Sequence, residues 1–259
     1  MENQDHDSQA NDSPNELPTA GDLVRARLTS ILAITPEQEA ERAARELAEE
    51  AEARKRRRSE RLREFLDSIG KLHAQCRLHN FDMKRPEQQA VVSALKEYSQ
   101  TMDDRIKNME GLVFFGPVGT GKDHLAVSMA GIAVEHHDQR AMLTNVQDWF
   151  GEIRDAMDSD AERAERSLIR ELSTPDILIL SDPLPPMGAL GQHMATMLYR
   201  LVEQRDSLGR MTWVTVNVSN DKEADERFGS ATWDRLCHRS WKIRCAWPSY
   251  RKPAKTINC

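Results

Sequence analysis

From Gly116 to His124 the chain reads Gly-Pro-Val-Gly-Thr-Gly-Lys-Asp-His. Gly116, Gly121 and Lys122 fill the pattern G-x-x-x-x-G-K. In it, glycines let main-chain N–H groups approach phosphate oxygens, and the lysine neutralises the outer phosphates. A short apolar run, Gly111 to Phe115, precedes the loop, and helical spacing in Leu125, Met129, Ile132 and Ala133 follows it. Strand, loop and helix in that order aim the positive end of the helix at an anion. Gly116, Pro117, Val118, Gly119, Thr120, Gly121, Lys122, Asp123 and His124 are therefore read as a phosphate-binding segment.

Phosphates bound in this way are normally shared with magnesium, which needs a carboxylate nearby. Ile177, Leu178, Ile179 and Leu180 form a buried-looking strand with Asp182 just beyond it. The strand Trp-Val-Thr-Val-Asn-Val puts Asn217 near its end, where an amide can feel a terminal phosphate or orient a water. Asp123 and Asp182 are the candidate metal ligands. Asp182 and Asn217 are candidates for the chemical step.

Two residues depart from the usual pattern. Asp123 stands where a hydroxyl is expected. A carboxylate can bind magnesium, but near a triphosphate it also repels. At about 4 Å and an effective dielectric near 20, a unit charge pair costs on the order of 4 kcal/mol before screening. Nucleotide binding is thus expected to be retained and strongly metal-dependent. After the strand come Ser181, Asp182 and Pro183, one acid where a metal ligand and a water-activating base would call for two. Either Asp182 serves the metal and Pro183 replaces the water-activating acid, or Ser181 replaces the metal ligand and Asp182 activates water. Losing one positioned base typically costs roughly 10²–10⁴-fold in rate. Slow hydrolysis, suited to a switch, is the expectation.

The elements that hold these residues lie in the later part of the chain. From about Leu72 onward, apolar runs alternate with amphipathic helices. This alternation implies an α/β fold with a parallel sheet flanked by helices. Residues 1–21 are almost devoid of apolar side chains and are expected to be disordered. Leu23, Val24, Leu28, Ile31 and Leu32 have helical spacing; this short stripe either docks on a partner or folds back on the chain. Thr35, Pro36 and Gln38 open a long charged helix with a capping box. Its acids come first and its bases last, with a thin seam of Ala40, Ala43, Ala44, Leu47, Ala48 and Ala51. The basic block Arg54 to Arg58 is either a solvated helix end or a contact for nucleic acid or an acidic partner.

Across 259 residues, 39% are hydrophobic and 30% charged, with a net charge of −6. That balance argues against wholesale coating of nucleic acid while leaving room for local basic patches. Cys76, Cys237, Cys245 and Cys259 are scattered with no C-x-x-C, so neither a zinc site nor a redox pair is indicated. No apolar run reaches membrane-spanning length and no signal peptide is evident, so a cytoplasmic location with no membrane contact is expected.

Taken together, the strings FFGPVGTGKDHLA, PDILILSD, TVN, WDRL and WPSYR resemble the AAA+ ATPases, and within them the DnaC/IstB type. The resemblance runs from about Arg77 to Arg251. The closing W-x-S-Y-R resembles the helicase-loader branch in particular. It implies a P-loop AAA+ (ASCE) sheet over 72–259 that binds ATP and Mg2+. A helical, partner-binding region over 22–71 and a partly disordered N-terminus would precede it. It also implies a replicative DNA helicase of the DnaB type and single-stranded DNA as partners. By the same resemblance Arg235 would be an arginine finger reaching a neighbour's nucleotide in a self-associated form, the other reading being a salt-bridged helix arginine, with Asp234 as a partner. Arg251 would sense the nucleotide, and Phe81 with Gln88 or Gln89 would belong to the adenine side. Cys259 is eight positions beyond Arg251, so no separate lid is expected.

Two other readings stay open: a transposition helper ATPase of the IstB type, and a catalytically inactive adaptor on the same fold. Lys222, Arg227, Arg239, Lys242 and Arg244 supply basic character toward the end of the chain, either for phosphate contact or as surface solvation.

Overall fold

The computed structural model describes residues 19–32, 35–156 and 161–251. Most of the tail expected over 1–21 lies outside the described residues, as do Met157 and Cys259.

The chain divides into two compact units, residues 1–54 and 55–259. The first holds helix α1 (Ala20–Leu32) and the start of α2 (Pro36–Ser68). The expected capping box is formed: Gln38 N donates to Thr35 Oγ1 at 3.3 Å, and Thr35 N donates to Gln38 Oε1 at 3.1 Å. Arg42–Glu46 and Arg45–Glu49 pair one turn apart, each at 2.8 Å. Such exposed pairs contribute about 0.3–0.5 kcal/mol apiece. Leu23, Val24 and Leu28 are all more than half exposed, as is Leu47 of the thin seam.

The second unit begins inside α2. Phe65 and Ile69 are buried in its core, so residues 55–71, grouped from sequence with the N-terminal region, include side chains of this unit. It continues through α3 (Gly70–His73), a 3-10 turn (Leu78–Asn80), α4 (Pro86–Gln100) and α5 (Met102–Lys107). Then come β1 (Gly111–Phe115), α6 (Lys122–His137), β2 (Ala141–Asn145), α7 (Val146–Ala156) and α8 (Ala161–Leu172). The last elements are β3 (Ile177–Ser181), α9 (Gln192–Ser207), β4 (Met211–Val216), α10 (Asp221–Phe228), α11 (Ser230–Cys237) and β5 (Ser240–Arg244).

The five strands lie in the order β2-β3-β4-β1-β5, and every pairing is parallel. Strand side chains alternate between the two faces. Leu112, Phe114, Ile177, Ile179, Met211 and Trp213 join a core with the end of α2, α4 and α6. Val113, Leu178, Leu180, Val214 and Val216 join a second core with α7 to α11. Both faces of the central strands are dry, which is why these strands read as unbroken apolar runs.

Parallel pairing brings the carboxyl ends of β1, β3 and β4 to one edge. Phe115 is level with Val216, and Ser181 with Thr215. The loops that leave these ends carry the chemistry, as open α/β sheets require. Among the described residues, no helix is long and apolar enough to cross a membrane.

Candidate functional site

The phosphate loop runs from the end of β1 into α6. Gly119 and Gly121 have φ of +78° and +85°, a region that costs residues with a Cβ. Space is equally restrictive, since a Cβ on Gly119 would collide with the Ser249 side chain and one on Gly121 would lie 2.8 Å from the Phe81 ring. Main chain can therefore approach a ligand here where a larger residue could not.

Lys122 is buried and points back into the loop. Its Nζ donates to the carbonyls of Gly116 at 3.0 Å and Pro117 at 2.9 Å, and to Asn217 Oδ1 at 2.6 Å. Burial pulls its pKa down, opposed by the carboxylates of Asp182 and Asp123 and by Cys245. Asn217 Nδ2 donates in turn to Asp182 Oδ1 at 2.5 Å. A continuous polar chain thus joins the phosphate loop, the end of β4 and the turn after β3. Burial pushes the Asp182 carboxyl above its usual range, and the nearby Asp123 charge adds to that. Asp182 has φ of +43°, uncommon for a residue with a side chain.

Asp123 opens α6 on the other side of the lysine. Its carboxylate accepts from Ser181 Oγ, 3.2 Å from each oxygen, and from Thr215 Oγ1 at 2.5 Å. Of the two registers open from sequence, the fold places Ser181 as the last residue of β3 beside Asp123, and Asp182 in the turn beyond. Thr215 was missed from sequence. Its signal was a hydroxyl on the Met211–Trp213 face of β4, where the other side chains are apolar.

One wall of the site is aromatic. The Phe81 ring meets those of His124, Tyr250 and Trp247 edge-on at 5.3, 5.6 and 6.2 Å. Tyr250 N donates to the Gly119 carbonyl at 2.8 Å, and Trp247 Nε1 to the Thr120 carbonyl at 2.9 Å. The Tyr250 hydroxyl accepts from Gln88 Nε2 at 2.7 Å and donates to the Asp82 carbonyl at 2.5 Å. The segment after β5 therefore straps the phosphate loop to the start of α4. Gln88 is committed to this strap and to its helix cap, whereas Gln89 is exposed.

These groups enclose a cavity of about 470 Å³ lined by Phe81, Val118, Gly121, Lys122, Asp123, His124, Asp182, Asn217, Tyr250 and Arg251, among others. That volume lies within the range of small-molecule sites. The donor set suits a nucleoside triphosphate with magnesium. Lys122 and the α6 N-terminus would hold the phosphates, the aromatic wall would take a base, and the Asp123 and Asp182 carboxylates with the Ser181 and Thr215 hydroxyls would supply hard oxygens for a metal. Among the described residues no three His, Cys, Asp or Glu side chains form a metal cage of their own. Magnesium usually takes only one or two carboxylates and completes its shell with phosphate oxygens and water.

Arg235 is not part of this cluster. It contacts the Tyr199 hydroxyl at 3.3 Å and pairs with Asp206 at 3.5 Å and Glu203 at 3.6 Å. Its ionic partners are on α9, not the adjacent Asp234. It lies with Gly111 and Met211, at the amino ends of β1 and β4, the edge opposite the phosphate loop. Arg227, for which the sequence left phosphate contact and surface solvation open, binds the carbonyls of Pro185 at 2.6 Å, Gly188 at 2.9 Å and Asn217 at 3.2 Å. It pins the proline-rich loop after Asp182 against the end of β4.

A family model described as IstB-like ATP binding protein matches residues 36–257. The replicative helicase loader DnaC of Buchnera aphidicola (subspecies Acyrthosiphon pisum) is 24% identical over 188 residues, 72% of this chain and 74% of that protein. The replicative helicase loader DnaC of Escherichia coli K12 is 27% identical over 185 residues, 71% and 72% of the two chains. The crystal structure of the DnaC helicase loader aligns with a TM-score of 0.58 at 17% identity, over 68% of this chain and 99% of that one, and so shares the fold. With its phosphate loop, parallel sheet and strand-end acid in this arrangement, the chain belongs to the IstB-like ATP binding protein family.

Proposed function

We propose that the protein is an ATP-dependent loader for a replicative DNA helicase, with hydrolysis slow enough to act as a switch. The observation that carries the nucleotide half of this reading is the Lys122–Asn217–Asp182 chain at the mouth of the phosphate loop. The helicase half is supported by the similarity to helicase loaders over more than two thirds of the chain.

In this reading Lys122 and the α6 N-terminus hold the ATP phosphates. Asp123 and Asp182 provide the carboxylates for magnesium and water. Magnesium held by these carboxylates would neutralise phosphate charge. Asn217 is hydrogen-bonded to both Lys122 and Asp182, so a change at the terminal phosphate is felt on two strands at once. The turn at the end of β3 carries one acid, Asp182, where a fast hydrolase would carry two, and hydrolysis is slow in this reading. Arg251 senses the nucleotide from the cavity mouth.

The unit that ends at residue 54 forms the partner-binding region in this proposal, and the unit from residue 55 onward is the ATPase domain. Leu23, Val24 and Leu28 present the apolar anchors for a helicase of the DnaB type. Single-stranded DNA is held by basic side chains of the ATPase domain. Arg235 faces away from its own nucleotide, which suits a finger that completes a neighbour's site when copies stack.

The deciding experiment is co-sedimentation of the full chain with the replicative helicase and, separately, with an insertion-sequence transposase, each with ATP and with ADP. ATP turnover is followed alongside, with and without single-stranded DNA. Nucleotide-dependent capture of the helicase and DNA-stimulated turnover support the loader. Capture of the transposase alone moves the reading to a transposition helper. Capture without any turnover moves it to an adaptor.

A further inference from the structure

The hydroxyl-to-carboxylate contact between Asp123 and Ser181 has a direction. In phosphate-loop ATPases the magnesium is normally held by a hydroxyl at the first turn of the helix after the loop and by a carboxylate at the end of a neighbouring strand. Here the same two places are occupied, but the chemistry is reversed. The carboxylate is on α6, at Asp123, and the hydroxyl is on the last residue of β3, at Ser181. The two side chains still meet, with Ser181 Oγ 3.2 Å from both Asp123 oxygens.

We propose that the metal-anchoring pair is transposed in this protein: Asp123 is the anionic anchor for nucleotide-bound magnesium, Ser181 its neutral companion, and Asp182 serves the water side instead of the metal. The proposal rests on the ATP-binding reading above and refines it.

Two structural observations and a charge count support the transposition. First, strand register fixes the geometry. Ser181 is level with Thr215 across β3 and β4, and Thr215 Oγ1 gives Asp123 a second donor at 2.5 Å. Two hydroxyls from neighbouring strands therefore aim one carboxylate, as a metal ligand requires of its supporting groups.

Second, Asp182 is turned elsewhere. Its backbone adopts φ of +43°, and its side chain accepts from Asn217. Asn217 is the group placed to orient water near a terminal phosphate.

Third, the charge count balances. Asp123 is not an extra negative charge beside the triphosphate, because Ser181 removes one from the strand end. The repulsion expected for Asp123 alone is therefore offset within the pair.

The test is a double-mutant cycle read by titration calorimetry of ATP at stepped magnesium concentrations, using the full chain. The variants are Asp123→Thr, Ser181→Asp and the two combined, with Asp123→Asn as a shape-conserving control and Asp182→Asn as the comparison carboxylate. Thermal melting confirms that each is folded.

Asp123→Thr and Asp123→Asn are expected to lose the magnesium-dependent gain in affinity, about tenfold or more. Ser181→Asp, with two anchors in one place, should need several-fold more magnesium to reach half-saturation. The combined variant should restore the wild-type magnesium midpoint to within about threefold. Asp182→Asn should leave that midpoint unchanged. Paramagnetic resonance of bound Mn2+ gives a second readout, with its signal lost in Asp123→Asn and kept in Asp182→Asn.

A combined variant no better than the worse single one overturns the transposition. So does a magnesium midpoint that moves with Asp182 and not with Asp123. Failure of the wild-type chain to bind ATP at any magnesium level would instead remove the nucleotide reading itself.

Discussion

Lys122 Nζ and Asn217 Oδ1 are 2.6 Å apart, so the phosphate loop after β1 and the end of β4 are held by a single charged donor. The same ammonium also occupies the carbonyls of Gly116 and Pro117. Hydrogen bonds made by a charged group are each worth about 1.5–3 kcal/mol. Lys122→Ala should therefore weaken ATP binding by at least about tenfold in calorimetry. The variant also leaves the Asn217 amide oxygen unpaired, so the turns after β3 and β4 should exchange amide hydrogen faster even without nucleotide.

Asp182 gives a pH signature. Its carboxyl is held above its ordinary value, first by burial and then by Asp123. The folded state thus keeps this proton to higher pH than the unfolded chain does. The ionised side chain costs stability above the raised folded value. That cost fades as pH falls through the folded value toward the ordinary carboxylate range. Asp182→Asn should accordingly melt at higher temperature than the wild type near pH 7–8. The two melting curves should converge as the pH falls into the acid range. A constant gap at all pH values would show that the side chain's charge is not the cause. In the proposed reading ATP turnover should fall in the same variant, the trade expected where a buried charge is kept for chemistry.

Arg227 couples two loops. Its guanidinium binds Pro185, Gly188 and Asn217 carbonyls, and its own carbonyl accepts from Leu190 N at 2.8 Å. Arg227→Ala removes the side-chain bonds and leaves the backbone one. Hydrogen exchange at Leu190, whose amide donates to the Arg227 carbonyl, should rise by tenfold or more, with melting lowered by the loss of about 2–4 kcal/mol. Arg227→Lys, which cannot span three acceptors with one ammonium in the same geometry, should recover only part of this.

Arg205 is fully buried in α9 and donates to Thr212 Oγ1 at 3.0 Å and to the carbonyls of Leu172 at 2.6 Å, Pro175 at 3.0 Å and Met211 at 2.6 Å. Removing it strands three carbonyls at the amino ends of β3 and β4. Arg205→Leu should cost roughly 3–5 kcal/mol. That lowers the melting temperature of a domain this size by about 6–20 °C. ATP affinity at temperatures where the variant is folded should change little, because Arg205 lies at the sheet edge away from the phosphate loop.

The sequence made some of this legible and hid the rest for physical reasons. The strands β1, β3 and β4 were readable because they are dry on both faces and so contain few polar letters. The phosphate loop was readable because its glycines and lysine are fixed by local geometry. The Thr35–Gln38 cap was readable because both partners lie within one turn. Strand order was not readable, and with it went the Ser181–Thr215 register on which the proposed placement of Asp182 rests. Arg205 carries no local signal, and Arg227 stood open between phosphate contact and surface solvation; only the tertiary fold shows that each binds main-chain carbonyls. Gln88 suggested a base contact, but its two ends are taken by a cap and by Tyr250. Such pairings join residues tens to more than a hundred positions apart, and no local pattern encodes them.

Trp247 is nearly buried, donates to the Thr120 carbonyl inside the phosphate loop and meets the Phe81 ring. An indole so placed is a built-in optical reporter. A ligand that reorganises the loop would change the polarity and hydrogen bonding around Trp247; Trp149, Trp213, Trp233 and Trp241 do not line the cavity. Occupancy can therefore be followed by intrinsic emission, without any dye attached to the molecule.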